Sequence, residues 1–149
     1  MSNENRTIYL DCDGTWIDLY GVEGWLNDLH SFNARPYREA KSLVNLSHLS
    51  RLIHRAQKKS YKVGIISWLS KDSNPKYDEE VTKAKLEWFK KHVPSVTFDE
   101  IHIVPYGVPK SSCGKGILID DEKKNRDEWM RAGGKAVPAE NLISFFQNL

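Results

Sequence analysis

Four short runs, Thr7 to Leu10, Lys62 to Ile66, Ile101 to Val104 and Gly116 to Ile119, are nearly continuous in Ile, Val and Leu, and each is bounded by turn residues or charge. Continuous rather than alternating apolarity predicts strands covered on both faces. Helical patterns separate them. Leu46, Leu49, Ile53 and Ala56 recur at three- and four-residue spacing, as do Val81, Ala84 and Trp88, with Phe89 beside them. The second helix carries Asp78, Glu79 and Glu80 at its start and Lys90, Lys91 and His92 at its end, which suits the helix dipole, and Pro94 stops it. A further helix is expected from Glu122 to Gly133-Gly134, and a last one after Pro138. Strand alternating with helix predicts an α/β fold: a Rossmann-like parallel sheet, helices on both faces, right-handed crossovers.

One segment breaks the alternation. Residues 16–45 carry a helix-like pattern at Leu19, Val22, Trp25, Leu26 and Leu29, then the turn Asn33-Ala34-Arg35-Pro36. So long a connection in a compact domain usually has a function, and it reads as a small helical cap inserted after the first strand. With 149 residues and 40% apolar composition, the chain suits one domain over 1–149.

Charge and cysteine content narrow the function classes. A net charge of +2 falls short of the basic excess of a dedicated nucleic-acid binder. The lysines at 58, 59, 62, 90 and 91 read as solvated faces. Two cysteines, Cys12 and Cys113, with no CxxC pair or zinc spacing, fit a reducing cytoplasm. No run of signal or membrane-span length is seen, so a cytoplasmic protein without membrane partners is expected.

In open α/β sheets ligands bind beyond the carboxyl ends of the strands, so the polar residues that end each apolar run matter most. The first run ends in Asp11, with Asp13 beyond it; the second ends in Ser67; the fourth ends in Asp120 and Asp121. Several carboxylates meeting at one edge repel one another unless a cation sits among them, and all-oxygen ligands suit Mg²⁺. Magnesium with open positions for phosphate oxygens points to phosphoryl chemistry, with one carboxylate available as nucleophile and a second to protonate the leaving oxygen. Gly14 lets the backbone turn so that N–H groups, including that of Thr15, face an anion. A calcium loop is excluded by its own pattern. From Asp11 the sixth and twelfth positions are Trp16 and Val22, and from Asp120 they are Asn125 and Arg131, where Gly and Glu are required.

The ordered set DCDGT at 11–15, the serine of IIS at Ser67, Lys110, and GILIDD ending at Asp121 resembles the haloacid dehalogenase-like superfamily over nearly the whole chain. The resemblance implies Mg²⁺-dependent phosphate-ester hydrolysis through an aspartyl-phosphate. It implies Asp11 as nucleophile and Asp13 as general acid/base, with the Asp13 backbone carbonyl facing the metal. Ser67 and Lys110 would hold the phosphoryl group, and Asp120 and Asp121 would anchor Mg²⁺ with Asp11. Lys110 is preferred to Lys115, which abuts the last run at its opposite end. Asn125, four residues after Asp121, is placed to hydrogen-bond a carboxylate.

The short insert, SWLS and IDDEKKN resemble the small-cap deoxyribonucleotidase-type branch and related phage-encoded proteins. That resemblance implies nucleoside or deoxynucleoside monophosphates as substrates. Trp16 and Trp68 could offer stacking faces to a base or pack the cap; Arg35, Arg38 and Lys71 could meet a second phosphate or lie in solvent. Two rivals stand beside it: a phosphatase of nucleic-acid 3′ ends, and a non-catalytic module that binds phosphate to recognise a partner. Oligomeric state is left open.

Overall fold

The computed structural model describes residues 6–149. Residues 1–5, the start of the segment weighed above as a signal sequence, lie outside that range. In chain order the core elements begin with β1 (Thr7–Leu10), which leads into the insert. The insert comprises β2 (Ile17–Asp18), α1 (Trp25–His30), α2 (Arg35–Glu39) and β3 (Lys41–Ser42). Then follow α3 (Leu46–Lys58), β4 (Lys62–Trp68), α4 (Pro75–His92), β5 (Glu100–Val104), β6 (Ile117–Asp120), α5 (Lys123–Arg131), β7 (Lys135–Pro138) and α6 (Leu142–Gln147).

The five core strands form one parallel sheet in the order β5-β4-β1-β6-β7, so β1 is central. Side chains alternate across it. Ile8, Leu10, Val63, Ile65, Ile117 and Ile119 pack with Leu49 and Ile53 of α3, Trp88 and Phe89 of α4 and Phe146 of α6. Tyr9, Ile66 and Leu118 face the other way, onto Trp129 of α5. Each fully buried side chain of this size contributes about 1.5–3 kcal/mol by leaving water, which explains why unbroken apolar runs mark the interior strands.

The expected elements are present, with three adjustments. The second long helix starts at Pro75 rather than beside Asp78, because the Asn74 side chain accepts the Tyr77 N–H at 2.8 Å and caps it. The edge strand β7 has too few apolar residues, KAVP, to be noticed beside a glycine pair. The insert is more than helical: β2 and β3 pair antiparallel into a ribbon that closes its base. Leu19, Leu29 and Tyr37 of the insert pack on Tyr77, Val81 and Ala84 of α4. Helix α4 therefore has two duties, holding the sheet through Trp88 and Phe89 and the insert through Val81 and Ala84. Among the described residues no helix is long and apolar enough to cross a membrane.

Candidate active site

Asp11 is the first residue beyond β1, and its N–H donates to Ile119 O at 2.9 Å, which continues the ladder by one step. This places Asp11 beside Asp120, the last residue of β6, with Ser67 at the same edge one residue beyond its level on β4. Oxygens of Asp11, Asp120 and Asp121 lie within 4.8 Å of one another. The Asp13 carboxylate is outside this group and turns toward α4.

Lys110 enters from the turn before β6 and is almost wholly buried. Its Nζ donates to Asp11 Oδ1 and to Asp120 Oδ2, both at 2.7 Å. Lys115 precedes β6 at the far end of the strand, as its position in the sequence implied. Asp120 is further held by the Asn125 side-chain amide at 3.2 Å and by the Glu122 N–H at 2.9 Å. The Arg126 guanidinium donates to its backbone carbonyl at 3.0 Å.

The turn after Asp11 is wound on Cys12 O, which accepts from the N–H groups of Thr15, Trp16 and Ile17. Gly14 has φ +85° and donates its N–H to Ile17 O at 2.9 Å. The expectation that Gly14 and Thr15 turn N–H groups toward an anion is therefore corrected: both are used within the turn. Their contribution is different. A Cβ on Gly14 would collide with the Asp121 carboxylate, so glycine allows the loop to close onto it. The Thr15 hydroxyl donates to Asp11 Oδ2 at 2.7 Å and accepts the Asp121 N–H at 3.1 Å, joining the two strand ends.

Electrostatics match a cation site. Burial pushes the Asp11 carboxyl up, but the Lys110 charge and hydrogen bonds from Asp121, Lys110 and Thr15 outweigh it and hold Asp11 below the ordinary carboxylate range. Asp120 is raised by burial and by the charge of Asp11. Asp121 is pushed up to about 8 by burial, by its hydrogen bond to Asp11 and by the Asp11 and Asp120 charges. One proton thus sits where three carboxylates crowd together, and a divalent cation with hard-oxygen preference fits the same place. Burial alone would lower Lys110, but the charges and hydrogen-bonding oxygens of Asp11 and Asp120 outweigh it and hold the ammonium above the ordinary lysine range.

Lys85 of α4 was not anticipated. It is buried, donating to Asp13 Oδ2 at 2.8 Å and to Ser67 Oγ at 2.9 Å. Its Nζ also lies 4.8 Å from the ring centre of Tyr37 in the insert. A signal was present: four residues after Val81 and beside Ala84, it is a lysine on the apolar face of an amphipathic helix.

A cavity of about 650 Å³ opens over Asp11, Asp13 and Lys110. Leu19, Tyr20 and Trp25 of the insert line one side; Trp68 and Tyr106 line another; the exposed Lys71, Lys124 and Arg131 also border it. Trp68 borders this cavity, its ring centre 5.4 Å from Lys110 Nζ and its indole N–H donating to Val108 O. Trp16 does not. It is fully buried, stacked on Phe89 and edge-on to Trp88, so it is core rather than a substrate platform. Arg35 is likewise corrected: it pairs with Asp28 and Glu39 and donates to Glu23 O, bracing the insert away from the cavity lining. Cys12 points into the core, where burial pushes its thiol up.

No protein-family model and no curated protein matches the chain. Among solved structures, a D,D-heptose 1,7-bisphosphate phosphatase from Burkholderia thailandensis is similar over 96% of this chain and 97% of its own, with a TM-score of 0.57 at 12% identity. An uncharacterized protein from Corynebacterium glutamicum is similar over 96% of each chain, with a TM-score of 0.49 at 13% identity. The chain accordingly has the α/β, Rossmann-like fold shared with that bisphosphate phosphatase, with a buried acidic cluster at the carboxyl edge of its sheet.

Proposed function

We propose that this chain is a haloacid dehalogenase-like, Mg²⁺-dependent phosphomonoester hydrolase that works through an aspartyl-phosphate on Asp11. The observation that carries the reading is the meeting of Asp11, Asp120 and Asp121 within 4.8 Å beside buried Lys110, beneath an open cavity. The bisphosphate phosphatase of similar fold supports the reaction class by its name. Nothing in that likeness favours the deoxyribonucleotidase branch.

Asp11, Asp120 and Asp121 would hold Mg²⁺, which when bound supplies neutralisation of the phosphoryl oxygens. In the first half-reaction an Asp11 carboxylate oxygen attacks phosphorus, the ester P–O bond breaks, and Asp13 gives its proton to the leaving oxygen. In the second, Asp13 takes a proton from water, which attacks the acyl-phosphate, releases inorganic phosphate and restores Asp11. Lys110 offsets charge on Asp11 and the phosphoryl group, and Ser67 donates to a phosphoryl oxygen.

For the substrate we favour nucleoside or deoxynucleoside monophosphates, because Tyr20, Trp25, Trp68 and Tyr106 give the cavity aromatic walls on which a base can stack. Lys71, Lys124 and Arg131 on its border support a second reading, a phosphatase of nucleic-acid 3′ ends. The test is phosphate release from nucleotides, sugar phosphates and 3′-phosphorylated oligonucleotides, with and without Mg²⁺. Nucleotide turnover that needs Mg²⁺ is expected. Preference for oligonucleotides selects the second reading, and no turnover of any substrate would favour a non-catalytic phosphate-binding module.

A further inference from the structure

Resting on the phosphatase reading, we infer that Lys85 is a positioning residue that sets both the proton donor and the phosphate-binding hydroxyl of this site. Its single ammonium group donates to Asp13 Oδ2 at 2.8 Å and to Ser67 Oγ at 2.9 Å. Each bond has a directional consequence. A serine oxygen that accepts from a lysine has its own O–H turned elsewhere, so Ser67 keeps that proton to donate to another acceptor. An Asp13 carboxylate tied through Oδ2 has Oδ1 left to exchange a proton with a leaving oxygen.

The lysine reaches this point from helix α4, on a face otherwise given to Val81, Ala84 and Trp88. Tyr37 of the insert lies over it at 4.8 Å. The same ammonium thus ties the insert to the proton donor. Burying a charge on an apolar helix face is costly unless it is matched by polar partners, and the only carboxylate that Lys85 meets in an ion pair among the described residues is Asp13. Packing alone would be satisfied by methionine at similar volume. The side chain of Asp13 is 16% exposed and borders the cavity, so water can solvate it when Lys85 is removed.

The test is Lys85→Met, assayed with Mg²⁺ on two substrates: 4-nitrophenyl phosphate, whose leaving group departs without a proton, and an alkyl phosphate, which needs one. The variant is expected to fold with a Tm close to that of the wild type. Its kcat/KM, which reports the phosphorylation half-reaction in which the two esters differ, should fall about 100-fold or more on the alkyl ester and only about 10-fold or less on the nitrophenyl ester, while the shared hydrolysis of the acyl-phosphate slows alike for both. Adding Lys85→Met to Asp13→Asn should cost the alkyl ester only the further loss of about 10-fold or less that the Ser67 contact accounts for. Equal losses of kcat/KM on both esters, or full activity on both, would overturn the positioning role while leaving the phosphatase reading intact. Lys85→Gln is the second variant; if neither folds, Lys85 is a structural residue and the inference is overturned. Wild-type protein inactive on both esters overturns the phosphatase reading and the inference with it.

Discussion

Asp121 and Gly14 show how closely the site is built at the scale of single residues. The loop after β1 can lie against the Asp121 carboxylate only because position 14 has no Cβ and tolerates φ +85°. Gly14→Ala should therefore lower stability by about 1–3 kcal/mol, read as a drop in Tm, and weaken Mg²⁺ binding by displacing Asp121. The raised pKa of Asp121, about 8, gives a second expectation with a definite sign. Below that value the carboxyl holds its proton, and a cation must displace it. Mg²⁺ binding followed by calorimetry in buffers of differing ionisation enthalpy should release close to one proton at neutral pH, and affinity should rise as pH climbs from about 6 to about 9. Affinity that is flat across this window would contradict a proton shared within the acidic cluster. Asp11, Asp13, Ser67, Asp120 and Asp121 were legible because each stands at or near the end of an apolar run, where sheet geometry forces convergence, whereas Lys110, in the loop before the last run, came only from the resemblance. Lys85 was hidden because it comes from a helix, and which turn of a helix faces a strand end depends on packing that short-range spacing does not define.

Helix α4 carries that hidden residue, and its registration decides what Lys85 can reach. Its start is fixed by Asn74, whose side chain accepts the Tyr77 N–H, followed by Pro75 in the first turn. Asn74→Ala should cost about 1 kcal/mol by removing the cap, measured by chemical denaturation, and should loosen the packing of the insert on Tyr77 and Val81. A full-strength loss of structure would mean that the helix has no other anchor, which Trp88 and Phe89 in the core argue against. At this scale the strands and long helices were readable from periodicity alone. β7 was missed because two apolar residues beside glycines give too little pattern. The β2–β3 ribbon was missed because two-residue strands are defined by their partner rather than by their own sequence. Trp16, which follows the carboxylate loop, stood between a stacking face and a packing residue; the turn wound on Cys12 O sends it into the core against Phe89 and Trp88, the packing alternative.

The whole molecule joins one parallel sheet, which gathers carboxylates at its carboxyl edge, to an insert that walls the cavity above them with Leu19, Tyr20 and Trp25. In the proposed reaction the sheet edge supplies the reacting groups, and the insert, the end of β4 at Trp68 and the turn at Tyr106 bound the cavity. If the acidic cluster holds Mg²⁺ in the folded state only, the ion should raise Tm with a concentration dependence that follows its affinity, and Asp120→Ala should abolish that dependence. The central claim is that Asp11 becomes covalently phosphorylated. Acid-quenched protein taken during turnover of a phosphomonoester with Mg²⁺, and analysed by intact-mass and peptide mass spectrometry, tests this most directly. The account predicts one added phosphoryl group on the peptide that contains Asp11, and neither adduct nor phosphate release in Asp11→Asn. Phosphate release that persists in Asp11→Asn would contradict it.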